Sequence, residues 1–177
     1  FCDYLLLLDD LIRGDKIREL LKEVTGRDYR LFKEKINYKL SGGGGFKPHQ
    51  DGAAFKKFVD DDLVTVIIPV HSMNEGNGCF RISKHQFNYA ENNNSWQDVN
   101  MHPGDILCFS SFLVHNSKDN LSLLDRSCFF ITYSPDELGD QREKYFSFKR
   151  KKFPPRIERD NNKNYEDWRK TLSRQII

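Results

Sequence analysis

Between residues 33 and 135 the chain runs through "KEKINYKL", "LVTVIIPV", "GDILCFSSFLVH" and "RSCFFITYS", separated by turn residues rather than helices. These stretches are alternating or nearly all apolar and rich in β-branched and aromatic residues, the composition of strands. Strands that follow one another without crossover helices point to an antiparallel architecture, a sandwich or barrel, and away from a parallel α/β sheet. Helical patterns flank this region. Asp15 can cap a helix carrying Ile17, Leu20, Leu21 and Val24 at helical spacing, with Gly26 as its stop. After the strands, "GDQREKYFSFKR" and "NYEDWRKTLSRQI" again carry apolar residues at helical intervals, parted by "KFPPRIERDNN", whose two prolines forbid one continuous helix. The expected class is mainly β with flanking helices.

A barrel of this kind needs enough apolar residues to fill it. With 38% hydrophobic residues and 14 Phe in 177 positions the interior can be filled, and 31% charged residues keep the surface wet. The length fits one domain, with a core at about 34–135 and a helical C-terminal extension at about 138–177. The longest apolar runs fall well short of the roughly 20 residues a membrane-spanning helix needs, so no membrane partner is expected. Cys2, Cys79, Cys108 and Cys128 form no C-x-x-C pair, and Cys108 and Cys128 lie inside apolar runs. Reduced thiols and a cytoplasmic setting are the expectation. The chain begins without a Met, so an N-terminal part is expected to be missing. A net charge of +2 does not argue for nucleic acid, and the basic cluster "FKRKKF" at 148–153 reads as a solvated face.

Chemistry concentrates in three places. In "FKPHQD", after the run "SGGGG", an extended backbone puts His49 and Asp51 on one face and Gln50 on the other. A solvated turn would explain H-x-D equally well on its own. In "FLVHNS", His115 ends the apolar run begun at Ile106 and so lies at a sheet's rim. Two histidines and one carboxylate are the ligand set of the facial triad, which binds Fe(II) and leaves adjacent positions open. Arg126 follows His115 by eleven residues, at the start of "RSCFFITYS". If the two strands form a hairpin across "SKDNLSLLD", the guanidinium sits near the metal, where its planar fork suits the far carboxylate of a metal-bound diacid. Ser117, on the face of His115, can add a second hydrogen bond. His71, His85 and His102 fall in turns with no carboxylate at ligand spacing and read as structural or surface residues.

Those residues, with "VTVIIPVHSMNEGNGCFRISKH" and "PGDILCFSSFLVHNSKDNLSLLDRSCFFITYS", resemble the phytanoyl-CoA dioxygenase family over about residues 34–158. The stretch "TYSPDELGDQREKYFSFKRKKFPPRIER" is similar to its 2-aminoethylphosphonate dioxygenase-like branch. The resemblance implies a double-stranded β-helix, a jelly-roll variant, with Fe(II) on His49, Asp51 and His115. It further implies 2-oxoglutarate held by Arg126 and Ser117, with Thr65 at a position that often touches that co-substrate. The implied reaction uses O2 to hydroxylate an unactivated C–H bond of a small molecule and releases succinate and CO2. Asp51 favours hydroxylation, since relatives that halogenate carry a small residue there. The chain departs from the family in having "RISKH" where a Gly-Ser-His turn is common, and in its short N-terminal segment. A binding-only or inactive member of the same barrel and, further off, a zinc hydrolase remain the alternatives.

Overall fold

The computed structural model describes residues 1–59, 62–84 and 95–165. His85 and most of the expected last helix, "NYEDWRKTLSRQI", lie outside the described residues. Among the described residues three α-helices and eight strands follow in the order α1 (Leu6–Arg13), α2 (Asp15–Thr25), β1 (Tyr29–Lys39), β2 (Phe46–His49), β3 (Val64–Pro69), β4 (Phe80–Ser83), β5 (Trp96–Val99), β6 (Leu107–Ser110), β7 (His115–Ser117), β8 (Arg126–Pro135) and α3 (Gln141–Lys152). The strands form two four-stranded sheets, ordered β1-β8-β3-β6 and β2-β7-β4-β5.

By backbone proximity the chain divides into two compact units, one of Phe1–Lys33, Gly52–Leu63 and Tyr133–Ile177, the other of Glu34–Asp51 and Val64–Thr132. In the first unit α2 buries Ile17 and Leu21 and ends at Gly26, whose φ of 77° is the left-handed conformation that glycine adopts without a Cβ penalty. One detail differs from the sequence expectation. Gly14, not Asp15, occupies the N-cap, and Asp15 is the first helical residue. The apolar "LLLL" run opens a separate short helix, α1, which buries only Ile12. Tyr145 of α3 is buried against the rings of Phe32, Phe55 and Phe58 at centroid distances of 5.2, 5.6 and 5.5 Å. The Asp140 carboxylate caps α3 by accepting from the Glu143 N–H. Asp140→Ala is therefore expected to lower stability by about 1 kcal/mol and Asp140→Asn by far less, since asparagine caps as well as aspartate. Urea unfolding of the two variants checks this, and equal losses would contradict the capping role.

The second unit holds its core between the sheets. Ile67, Phe109, Cys128 and Phe130 from one sheet meet Phe80 from the other, together with Met73 and Met101. The β-branched run of β3 pairs with β6 in regular register, Val64 opposite Ser110 and Ile67 opposite Leu107. Here the expected hairpin is corrected. The run "GDILCFSSFLVH" is not one strand: the chain turns after Ser110, crosses to the second sheet and enters β7 at His115. β7 pairs with β2 and β4, whereas β8 lies in the first sheet between β1 and β3. His115 therefore begins a strand, and it and Arg126 belong to facing sheets. All four cysteines are free, and among the described residues no helix is long and apolar enough to cross a membrane.

Candidate metal centre

The register of β2 against β7 places the first histidine. Phe46 lies opposite Ser117 and His49 opposite His115, so three steps on β2 match two on β7 and β2 carries one extra residue as a bulge. Pro48 sits inside that bulge, where a residue without an N–H is tolerated. The glycine run leads into this pairing. A Cβ on Gly45 would stand 2.2 Å from the Ser117 carbonyl oxygen, so only glycine lets β2 start this close to β7. Past His49 the Gln50 side chain turns away and donates to the Phe112 carbonyl at 2.5 Å. Asp51 then returns to the face of the histidines.

The result is a cluster in which one ligand atom from each of His49, Asp51 and His115 lies within 4.8 Å of the others, the one such group among the described residues. The Asp51 carboxylate oxygens stand 3.8 Å from His49 Nε2 and 3.8 Å from His115 Nε2. Donors about 2.0–2.2 Å from a first-row ion are separated by roughly 3 Å when adjacent, so a small inward movement closes the set around one ion. The outer nitrogens agree with that use. His49 Nδ1 contacts the Lys47 carbonyl at 2.7 Å and His115 Nδ1 the Leu113 carbonyl at 2.9 Å. Each contact requires Nδ1–H, which leaves the Nε2 lone pair for a metal. His115 is 2% exposed and packs against the rings of Phe80 and Phe109. Burial, the largest influence, pulls its pKa down to about 4, so the ring is neutral and ligand-competent at pH 7. These residues fit a divalent iron with three further coordination positions.

A cavity opens beside the cluster, lined by His49, His115, Ser117, Arg126 and, from β1, Lys35 and Lys39. Three basic side chains, Lys35, Lys39 and Arg126, are among its lining, and the carboxylate beside it is that of Asp51, 3.8 Å from the Nε2 atoms of both histidines. Arg126 is 4% exposed and held rigidly: Nε donates to the Asn77 carbonyl at 3.0 Å and Nη2 to the Gly78 carbonyl. The structure thus brings together His49, Asp51 and His115, and seats Arg126 and Ser117 in the adjoining cavity. Thr65 is placed elsewhere. It is fully buried on β3, its hydroxyl 2.7 Å from Ser111 Oγ, and it does not line the cavity. His102 is exposed near Asp105, and His71 Nδ1 accepts from the Ser127 N–H at 3.2 Å.

Sequence reasoning passed over Lys35 and Lys39. The available signal was the two-residue spacing of Lys33, Lys35, Asn37 and Lys39 in "KEKINYKL", which puts four polar side chains on one face of a strand while Ile36, Tyr38 and Leu40 alternate with them. Lys39 is 5% exposed, and burial together with the nearby Arg126 charge pulls its pKa down to about 8. Gly78 makes room for it. At φ +78° a Cβ there would sit 2.6 Å from the Lys118 carbonyl oxygen and 2.8 Å from Lys39 Cδ. Gly78→Ala is expected to cost at least about 2 kcal/mol through strain and overpacking, and to displace the carbonyl that Arg126 grips. Thermal unfolding checks this, and a melting temperature equal to wild type would contradict it.

The family model for phytanoyl-CoA dioxygenase (PhyH) matches residues 3–128. Among curated proteins, a 2-aminoethylphosphonate dioxygenase from an uncultured bacterium is 36% identical over 93% of this chain and 68% of its own length. A methylphosphonate hydroxylase from Gimesia maris is 35% identical over 81% of this chain and 60% of its own. Among solved structures, EctD from S. alaskensis with 2-oxoglutarate and 5-hydroxyectoine aligns at TM-score 0.68 and 14% identity, covering 77% of this chain and 55% of that one. The non-heme alpha ketoglutarate dependent epimerase SnoN aligns at TM-score 0.62 and 20% identity, covering 72% of this chain and 56% of that one. At such identities the structures speak for the fold alone, the double-stranded β-helix. The chain spans about two thirds of the length of these curated relatives and just over half of these solved structures. On the span of the family match and on its identity to these relatives, the chain belongs to the phytanoyl-CoA dioxygenase family, in the branch that includes the 2-aminoethylphosphonate dioxygenase.

Proposed function

We propose that the chain is the catalytic barrel of an Fe(II)- and 2-oxoglutarate-dependent dioxygenase that hydroxylates a C–H bond of a small phosphonate. The observation that carries this reading is the convergence of three ligand atoms beside a cavity whose wall holds the Arg126 guanidinium. His49, Asp51 and His115 hold the iron through two neutral imidazoles and one carboxylate, leaving one face open. When bound, iron and the keto acid supply the oxidative chemistry, in which one oxygen atom of O2 goes to succinate as CO2 leaves and the other enters the C–H bond. The protein's residues do the holding. Arg126 receives the far carboxylate of 2-oxoglutarate, with Ser117 as a further donor, and Thr65 supports the strand behind them without reaching the cavity. Asp51 fills the position a halide would need, which directs the outcome to hydroxylation. Lys35, at the same cavity with its ammonium 4.9 Å over the Phe130 ring, adds the positive charge that suits an anionic substrate.

The substrate class follows from the relatives' names and from a cavity with three basic side chains in its described lining. The test is anaerobic loading with Fe(II) and 2-oxoglutarate, then oxygen with 2-aminoethylphosphonate, methylphosphonate, a simple amine or an acyl-CoA thioester. Succinate release stimulated by a phosphonate is expected. Stimulation by the thioester alone would overturn the substrate class, and no stimulated succinate with any of them would overturn the activity.

A further inference from the structure

The segment "KDNLSLLD" at 118–125 is built inside out. Leu121, Leu123 and Leu124 are 82%, 93% and 76% exposed, while the neighbouring Asn120 is fully buried. The Asn120 amide holds the segment from within. Its Nδ2 shares two protons among the Lys39, Leu40 and Leu124 carbonyls at 3.1, 3.0 and 2.8 Å, and its Oδ1 accepts from the Ser122 N–H at 3.0 Å. The backbone adds Asn120 N–H to the Gly43 carbonyl at 2.9 Å and Leu121 N–H to the Gly76 carbonyl at 3.0 Å. The charged side chains are also bound within the chain: Asp119 accepts from the Gly45 N–H, Asp125 from the Ser41 N–H at 2.7 Å, and Lys118 Nζ donates to Glu75 and Asp98 at 2.6 and 2.9 Å. An ordinary surface loop does the reverse and turns its polar groups to water. Here a polar framework fixes three leucines in water, each forgoing about 1.5–3 kcal/mol of burial.

Tyr38 and Leu40, each more than half exposed at the end of β1, continue the patch, since Asn120 binds the Leu40 carbonyl and Asp125 binds the Ser41 N–H beside it. Five large apolar side chains this exposed amount to several hundred Å². That is at or above the roughly 300–600 Å² of the largest patch on a typical monomer, and it approaches the about 800 Å² that each partner gives to a standard interface. Leucines displayed by a segment already fixed lose little freedom when they are covered, which lowers the cost of association. The patch calls for no partner of opposite charge, because the charges of its own segment are bound within the chain. An apolar, internally compensated face is complementary to a copy of itself. We propose that this face is the isologous interface of a two-fold homodimer, with Leu121, Leu123 and Leu124 of each copy at its centre. Tyr38 also lines the cavity beside the metal cluster, so the partner copy sits at one edge of that cavity. The inference goes beyond the reaction proposed above and uses no residue of the metal cluster.

Sedimentation velocity across a micromolar concentration series tests it. The wild-type chain is expected to form a closed dimer of twice the chain mass. Leu123→Asp should weaken that dimer at least about a hundredfold, because two-fold symmetry puts two new charges into one apolar interface, and Leu121→Asp should do the same. Both variants should keep the wild-type circular dichroism, since these side chains are exposed within one copy. Ile157→Asp is the control. It alters an equally exposed apolar residue of the other compact unit and should leave the dimer constant within about threefold of wild type. Selective loss in the leucine variants supports the interface. A wild-type chain that stays monomeric throughout the series would overturn the proposal, and so would association that runs on past a dimer. A dimer that both leucine variants retain, or one that Ile157→Asp weakens equally, would overturn it as well. If Leu123→Asp does not fold, Leu121→Asp decides alone: a weakened dimer supports the interface, and an unchanged one overturns it.

Discussion

Arg126→Ala is expected to raise the 2-oxoglutarate concentration needed for half-maximal rate by roughly thirtyfold to several hundredfold, the equivalent of about 2–4 kcal/mol for truncating a buried, charge-assisted pair. Metal affinity should change little, because Arg126 contacts none of the three candidate ligands. Its guanidinium is already fixed by the Asn77 and Gly78 carbonyls, so the free enzyme loses no rotamer freedom there when the diacid arrives. The same anchoring predicts a second effect. Removing the side chain leaves two carbonyls without their donor, and stability should fall by about 1–3 kcal/mol. Arg126→Lys should recover only part of the co-substrate affinity, since one ammonium cannot hold two carbonyls and also present a planar fork. Titrating 2-oxoglutarate against both variants with Mn(II) in place of iron separates binding from turnover. A constant within about threefold of wild type for Arg126→Ala, together with a lower melting temperature, would assign the residue to strand stability and not to the co-substrate.

His115→Ala and His49→Ala should each abolish turnover and weaken metal binding at least about tenfold, because a facial triad has no spare ligand. Their effects on stability should differ. His115 is 2% exposed among Phe80 and Phe109, and its loss leaves a cavity in an aromatic environment, at a cost of about 2–4 kcal/mol. The His49 side chain is 31% exposed, so its removal should cost less than about 1 kcal/mol. Metal titration by calorimetry with parallel thermal unfolding checks both halves of this statement. Succinate formation at the wild-type rate in either variant would remove that histidine from the site.

The candidate ligands were legible because each lies in a short segment whose local geometry is dictated locally. H-x-D in an extended stretch fixes a shared face, and "FLVHNS" places a histidine at the end of an apolar run. What joins the segments is not local. The hairpin expected between His115 and Arg126 assumed the shortest connection, whereas the chain changes sheets after Ser110 and again before β8. The two residues reach one cavity across the space between the sheets, a closeness that sequence separation does not encode. The turn inside "CFSSFLVH" was hidden because Phe112, Leu113 and Val114 are as apolar as the strand before them. Lys39 was hidden for the opposite reason. A lysine in an alternating strand ordinarily faces water, and its burial becomes visible only once Ser117, the Lys118 carbonyl and Arg126 are placed around it. Thr65, named by resemblance, lies on β3 with its hydroxyl 2.7 Å from Ser111 Oγ, a contact that no local pattern in the sequence announces.

The central claim is that this barrel binds one divalent metal on His49, Asp51 and His115 and, on that metal, one molecule of 2-oxoglutarate. Anaerobic calorimetry measures it directly: Fe(II) is titrated into the protein, then 2-oxoglutarate into the metal-loaded and metal-free forms. The account predicts one metal per chain, one 2-oxoglutarate per bound metal, and binding to the metal-free protein weaker by at least about tenfold, because the keto acid loses its chelation and keeps only the Arg126 seat. Tight metal binding with no 2-oxoglutarate binding, or 2-oxoglutarate affinity indifferent to the metal, would contradict it.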